Sequence, residues 1–319
     1  MKKILSIVLS LVLVMALCAT ASAAGLVGVA MPTQDLQRWN QDGANMKAQL
    51  EAAGFEVDLQ YANNDVATQV SQIENMILNE VQVLVVASID GSALGTVLAQ
   101  AKEAGIPVIA YDRLLTATEA VDYYTTFDNY KVGQIQGQYV IDTLDLANTD
   151  KTYTIEFTAG SPDDNNAGLF FAGAFDLLKP YLDAGKLVCV SGQTDFATVA
   201  TPAWKSETAQ ARMDNILSAY YPDALTGGQT LDICLCSNDS TALGVTNSLV
   251  AAGFTTENIP LITGQDCDKP NVKNMVKGLQ AMSVFKDTRT LAAQTVKMVD
   301  SILKGETPEL NGEYDNGIK

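Results

Sequence analysis

One stretch of this sequence occurs twice, and that repetition restricts its fold more than any single motif does. Val83-Leu-Val-Val-Ala-Ser-Ile-Asp90-Gly-Ser-Ala-Leu-Gly95 is echoed by Ile233-Cys-Leu-Cys-Ser-Asn-Asp239-Ser-Thr-Ala-Leu-Gly244. Each copy runs on through a helical pattern to Ala-Gly and then Ile-Pro. Each then reaches a second apolar strand ending on aspartate, Val108-Ile-Ala-Tyr-Asp112 in one copy and Leu261-Ile-Thr-Gly-Gln-Asp266 in the other. Asp90 and Asp112 are 22 positions apart and Asp239 and Asp266 are 27 apart; the five extra residues are Phe254-Thr-Thr-Glu-Asn258. Fainter echoes pair Ile73-Glu-Asn-Met-Ile77 with Met213-Asp-Asn-Ile-Leu217, and the strand opening at Leu26 with Tyr153 to Thr158. Repetition on this scale means two lobes of one architecture in tandem.

The hydrophobic period supplies the architecture. Strand patterns at Leu26 to Met31, Phe55 to Tyr61 and Val81 to Ser88 alternate with helical patterns at Trp39 to Ala53 and Val66 to Asn79. Such alternation predicts an α/β fold of two similar doubly wound parallel sheets, with helices on both faces. The 319 residues, 47% of them apolar, suffice for two such cores.

The first residues read as an export signal: Lys2 and Lys3, an apolar run from Ile4 to Leu17, and the small-residue cleavage site Ala21-Ser22-Ala23. The run is too short for a membrane span. Cys18 opens an alternative of lipid attachment, against which stands the large Leu17 before it. Removal of residues 1–23 takes two of the 20 basic residues and leaves 18 against 37 acidic ones, a formal charge of −19. So acidic a protein repels phosphate backbones, which excludes a nucleic-acid partner. No histidine is present. Cys234 and Cys236 fall on one face of an apolar strand, as small buried residues rather than metal ligands. No metal or cofactor is expected, and a Cys236–Cys267 disulfide stays open.

In open parallel sheets, ligands bind beyond the carboxyl ends of the strands. The distinctive polar residues of this chain gather at those ends. The first lobe offers Arg38, Trp39, Asp90, Asp112 and Arg113; the second offers Asp163, Asp164, Asn166, Trp204, Asn238, Asp239, Asp266 and Lys286. Planar carboxylates and amides beside cations hold adjacent hydroxyls in pairs, and aromatic faces cover ring C–H patches. Those are the demands of a sugar. The only two tryptophans, Trp39 and Trp204, fall one in each lobe. Plainer readings stand beside these: Asp90 and Asp239 as helix caps, the cap being preferred for Asp90; Asp112–Arg113 as a structural ion pair; either tryptophan as packing.

Met31 to Trp39, Ser71-Gln-Ile-Glu-Asn-Met76, Ile109-Ala-Tyr-Asp-Arg113, Phe127-Asp-Asn129, Gly160-Ser-Pro-Asp-Asp-Asn-Asn166, Ser237-Asn-Asp239, Gly264-Gln-Asp266 and Phe285-Lys286 together resemble the type I periplasmic sugar-binding proteins. The likeness is to the ribose, xylose and multiple-monosaccharide receptors that serve ABC transporters, and it covers nearly all of the exported chain. It implies that Arg38, Asp112, Arg113, Asp164, Asn166, Asn238, Asp266 and Lys286 bond sugar hydroxyls, and that Trp39 and Trp204 stack on the ring. It further implies a signal at 1–23, one lobe from 24–128 plus 287–319, the other from 129–286, and hinge crossings at Phe127-Asp128-Asn129 and around Lys286. A third crossing is expected beyond Lys319, where family members continue. A calcium loop of some galactose receptors is not expected, since Asp145, Asn148 and Asp150 lack its spacing. The expected protein is a monomer without enzymatic activity, partnered by a monosaccharide, a membrane permease and a chemoreceptor. The rivals are a secreted glycoside hydrolase, the sensing half of a transcription regulator, and a receptor for a modified furanose.

Overall fold

The computed structural model describes residues 25–317; the export signal and Cys18 lie outside them. The first sheet is built from β1 (Leu26–Met31), β2 (Glu56–Tyr61), β3 (Val83–Val86), β4 (Val108–Tyr111) and β5 (Tyr123–Thr125). Between these strands run α1 (Gln37–Ala52), α2 (Val66–Leu78) and α3 (Gly95–Glu103). The strands are parallel in the order β2-β1-β3-β4-β5.

The second half repeats the plan. After α4 (Asn129–Thr143) come β6 (Tyr153–Thr158), α5 (Asn165–Asp183), β7 (Leu187–Val188), α6 (Phe196–Val199) and α7 (Ser206–Tyr220). Then follow β8 (Ile233–Cys236), α8 (Asp239–Ala251), β9 (Leu261–Ile262), α9 (Lys269–Lys277) and α10 (Thr288–Leu303). The parallel order β7-β6-β8-β9 matches β2-β1-β3-β4 strand for strand, so the two copies of the repeat, at β3 and β8, hold equivalent central places.

Both faces of each sheet are covered, which is why the strands read as unbroken apolar runs. In β3, Val83 and Val85 face a core shared with Trp39, Met46 and Leu50 of α1 and Leu291 and Met298 of α10. Leu84 and Val86 face the opposite core, with Ile73 and Met76 of α2 and Val97 and Leu98 of α3. In β8, Ile233 and Leu235 pack under α4 and α5, while Cys234 and Cys236 pack under α7 and α8. All four described cysteines are free thiols, so the Cys236–Cys267 bond left open by the sequence is not formed.

The chain leaves the first sheet at Phe127-Asp128-Asn129, because α4 packs on α5 rather than on β5. Glycines make that pairing close: a Cβ on Gly133 would fall 2.1 Å from the Phe170 carbonyl oxygen, and one on Gly173 2.1 Å from that of Tyr130. After Lys286 the chain returns, and α10 lies against α1. No helix among the described residues is long and apolar enough to cross a membrane.

Two expected caps are corrected. Asp90 does not cap α3, which starts four residues later than the cap reading requires, at Gly95 behind Leu94; its carboxylate instead accepts from the Ser92 N–H and hydroxyl, both at 2.8 Å, in an extra turn. In the second copy Asn238 is the cap, in a reciprocal box with Thr241, and Asp239 is the first residue of α8.

Candidate functional site

All ten residues singled out for ligand binding line one cavity at the carboxyl ends of both sheets. Measured as room for the centre of a water-sized sphere, its volume is about 30 Å³. Arg38 and Trp39 stand in the first turn of α1, just beyond β1, and Asp112 and Arg113 follow β4. From the other side come Asp164, which caps α5 by accepting from Asn166 N–H at 3.0 Å, then Asn166 itself, Trp204, Asn238, Asp266 and Lys286.

Backbone geometry turns several of these side chains inward. Asp112 (φ 61°) and Asp266 (φ 98°), the repeat-related aspartates after β4 and β9, both have left-handed backbones, as does Trp204 (φ 57°). Non-glycine residues held there cost of order 1 kcal/mol or more each, and the surrounding structure must enforce it. Asp112 is fixed by its N–H to the Thr125 carbonyl at 2.7 Å, and Asp266 by its N–H to that of Val284 at 2.9 Å.

The charged groups interlock. Arg38 donates to Asp42 at 2.9 Å and to Asp112 at 2.6 Å, and its other amino group lies 3.6 Å from Asp266. Arg113 Nε is 3.0 Å from Asp164, and its Nη1 donates to the Ser88 carbonyl at 2.8 Å. Lys286 Nζ is 3.3 Å from Asp266. Asp112 and Arg113 are therefore not paired with each other; each reaches a different partner. Burial would raise the Asp112 carboxyl, but Arg38, Lys286 and Arg113 together hold it below the usual carboxylate range. Asp42, fully buried behind Arg38 and accepting from the Tyr111 hydroxyl, is pushed up by desolvation despite the Arg38 charge. Asn166 Nδ2 bonds the Asp112 carbonyl at 2.9 Å, so polar contacts link the two halves across the cavity.

Each tryptophan packs and lines the cavity at once, so the two readings of these side chains do not exclude each other. Trp39 belongs to the first core, and the Arg38 and Arg113 guanidiniums sit 5.0 and 4.9 Å from its ring centre. Trp204 packs with Phe170, Val132 and Ala167 and donates its indole N–H to Asp164 Oδ2 at 3.2 Å.

Several buried polar atoms on the wall lack an aligned hydrogen-bond partner: Arg113 Nε, Gln265 Oε1, Asp266 Oδ1 and Asp268 Oδ1. Arg113 Nε and Asp266 Oδ1 have opposite charges nearby, yet not in bonding alignment. A buried polar group without a partner costs about 1–3 kcal/mol, so these atoms are poised for the donors and acceptors of a ligand.

Leu36, Phe170, Ser240, Gln265 and Asp268 also line the cavity and were not singled out. The sequence carried signals for most of them: Gln265 and Asp268 flank Asp266, Ser240 follows the Asn238 cap, and Phe170 is one helical turn beyond Asn166. Asp163 is exposed, and Asp239 sits behind the wall, accepting from Asp268 N–H (2.8 Å), Ser283 hydroxyl (3.0 Å) and Gln280 amide (3.0 Å). Burial and Asp266 push its carboxyl up to about 8.

A family described as "Periplasmic binding protein domain" matches residues 27–307. The chain is 48% identical over 305 residues to the multiple sugar-binding periplasmic receptor of Rhizobium radiobacter, covering 94% of this chain and 85% of that one. It is 35% identical over 319 residues to the D-xylose-binding periplasmic protein of Escherichia coli K12, covering 99% and 90%. Among solved structures, an ABC transporter solute-binding protein of Clostridium phytofermentans with bound β-D-glucose superimposes with a TM-score of 0.87 at 60% identity, covering 92% of this chain and 89% of that one.

Proposed function

The chain belongs to the periplasmic binding proteins, and from that membership we propose that it captures a monosaccharide, an aldopentose or aldohexose such as xylose or glucose, outside the cytoplasmic membrane. It hands the sugar to the membrane permease of an ABC transporter and, in a second role, presents it to a chemoreceptor. The observation that carries this reading is the wall of the cavity: carboxylates, amides and cations from both halves, with buried polar atoms lacking aligned partners, between two indoles.

In this reading Arg38, Asp112, Arg113, Asp164, Asn166, Asn238, Asp266 and Lys286 hold hydroxyls, and Trp39 and Trp204 cover the ring. The lobes are residues 24–128 with 287–319, and 129–286. Sugar binding favours their closure because only the closed form brings both sets of side chains to the ligand. The protein is an exported monomer, in the periplasm or at the outer face of the membrane. The site binds and does not catalyse: Asp112, Asp164 and Asp266 each lie within 3.3 Å of a guanidinium or ammonium. Of these, Asp112 is held below the usual carboxylate range by Arg38, Lys286 and Arg113, the reverse of the proton-donating form a glycoside hydrolase needs.

Calorimetric titration of the purified protein with xylose, glucose, galactose and arabinose tests the proposal. One-to-one binding at about micromolar affinity or tighter to at least one of them is expected. Silence across all four, or turnover of a chromogenic glycoside, would overturn it.

A further inference from the structure

The cavity's three cations are each matched to a carboxylate: Arg38 to Asp112, Arg113 to Asp164 and Lys286 to Asp266. Asp268 is a fourth carboxylate on the wall, and no cation among the described residues forms an ion pair with it. Nor does its own helix use it. Asp268 occupies the N-cap of α9, yet its side chain makes no capping bond. Asp65, Asp128, Asp164, Asp195 and Asp287, at the same position of other helices, all accept from a backbone N–H two or three residues on. Pro270, two residues on, has no N–H to offer, but that of Asn271 remains, and leaving it uncapped forgoes up to about 1 kcal/mol. Oδ1 of Asp268 instead has no hydrogen-bond partner although the residue is only 9% exposed.

We propose that Asp268 is a further ligand contact, its carboxylate accepting a sugar hydroxyl adjacent to the one held by Asp266, so that the second lobe grips neighbouring hydroxyls with two carboxylates. This rests on the sugar-binding reading above and narrows it. The preferred ligand carries two neighbouring free hydroxyls on the edge facing α9, and a sugar that lacks one of them is rejected because a desolvated carboxylate is left unpaired.

The groups facing Asp268 are Asp266 beside it, Arg38 from α1, Lys286 ahead of α10, and Asp239 from α8, which accepts the Asp268 N–H. Burial and then Asp266 push the Asp268 carboxyl up to about 7, against the pull of Arg38 and Lys286. Because the ionised form is the acceptor, affinity weakens as pH falls below that value, by at most about tenfold per pH unit.

The test is calorimetric titration of wild type, Asp268→Asn and Asp268→Ala with D-glucose and its monodeoxy analogues at pH 8 and pH 6. Asp268→Ala is expected to bind glucose about 10- to 100-fold more weakly. One deoxyglucose should show a similar loss with wild type but bind Asp268→Ala as well as glucose does. Asp268→Asn, which keeps the shape of the wall, should remove most of the fall in affinity between pH 8 and pH 6; what remains reports Asp239. Wild-type glucose affinity, selectivity and pH response in both variants would overturn the proposal. Failure of wild type to bind xylose, glucose, galactose and arabinose alike would overturn the sugar reading itself.

Discussion

Gly160→Ala tests whether the Trp204 ring is positioned for a ligand by the backbone beneath it. The indole lies flat against Gly160: a Cβ built there would fall 1.9 Å from Cη2, 2.2 Å from Cζ3 and 2.3 Å from Cζ2. Carbon atoms rest at about 3.5–4.0 Å, so the ring must withdraw by roughly 1.5 Å or more. It has little room to do so. Phe170 stands edge-on at 6.2 Å, with Val132 and Ala167 completing the packing. The N–H to Asp164 bond, already 3.2 Å long, breaks as the ring tilts, and Asp164 is also the carboxylate beside Arg113. Overpacking of this kind costs about 1–3 kcal/mol of stability. Losing the wall and a bond to a charged acceptor should weaken sugar binding by about 10- to 100-fold. Calorimetry gives the affinity, denaturant unfolding the stability and tryptophan emission the ring's environment. Gly168→Ala in α5 is the control: a Cβ there meets nothing within 4 Å, so affinity should not change and stability should rise by about 0.5–1 kcal/mol. A Gly160→Ala protein with wild-type affinity and emission would refute the reasoning.

Asp266→Ala should abolish detectable sugar binding and, by stripping the buried Lys286 ammonium of its carboxylate at 3.3 Å, cost about 3–5 kcal/mol of stability; adding Lys286→Met should recover part of the stability without restoring binding, and a single variant as stable as wild type would remove the ion pair from the account. The carboxyls of Asp239 (about 8), Asp268 (about 7) and Asp42 are all held above the value of an unfolded aspartate. From roughly pH 4 to pH 8 the native protein therefore binds more protons than the unfolded chain, and stability falls as pH rises through that window. Asp112, held low, acts oppositely, losing its contribution only as pH drops below about 4. The ligand-free protein should melt at a higher temperature at pH 5 than at pH 8, with a smaller difference in Asp268→Asn; a melting temperature that rises across that interval contradicts this assignment.

The architecture of two parallel sheets was legible in the sequence because it rests on local patterns and one topological rule; the strand order came only with the structure. Apolar runs, their alternation with helical periods and the echo of Val83–Gly95 at Ile233–Gly244 imply two parallel sheets, and parallel sheets bring their carboxyl ends together. That rule, with the residues shared with sugar receptors, sufficed to name ten side chains that the fold gathers around one cavity. Adjacency in sequence was less informative about partners. Asp112 and Arg113 are neighbours in the chain but reach Arg38 and Asp164, because the left-handed backbone at Asp112 sends the two side chains apart. Repeat-related Asp90 and Asp239 differ in burial and role, since an extra turn precedes α3 but not α8. The seat of Trp204 on Gly160 and the turning of Asp268 away from its own helix join residues that no local pattern connects. Composition and periodicity fixed which groups reach the strand ends; which charge meets which, and which remains unpaired, was decided by how the two halves pack against each other, because desolvated charges are assigned partners only when distant segments close around them.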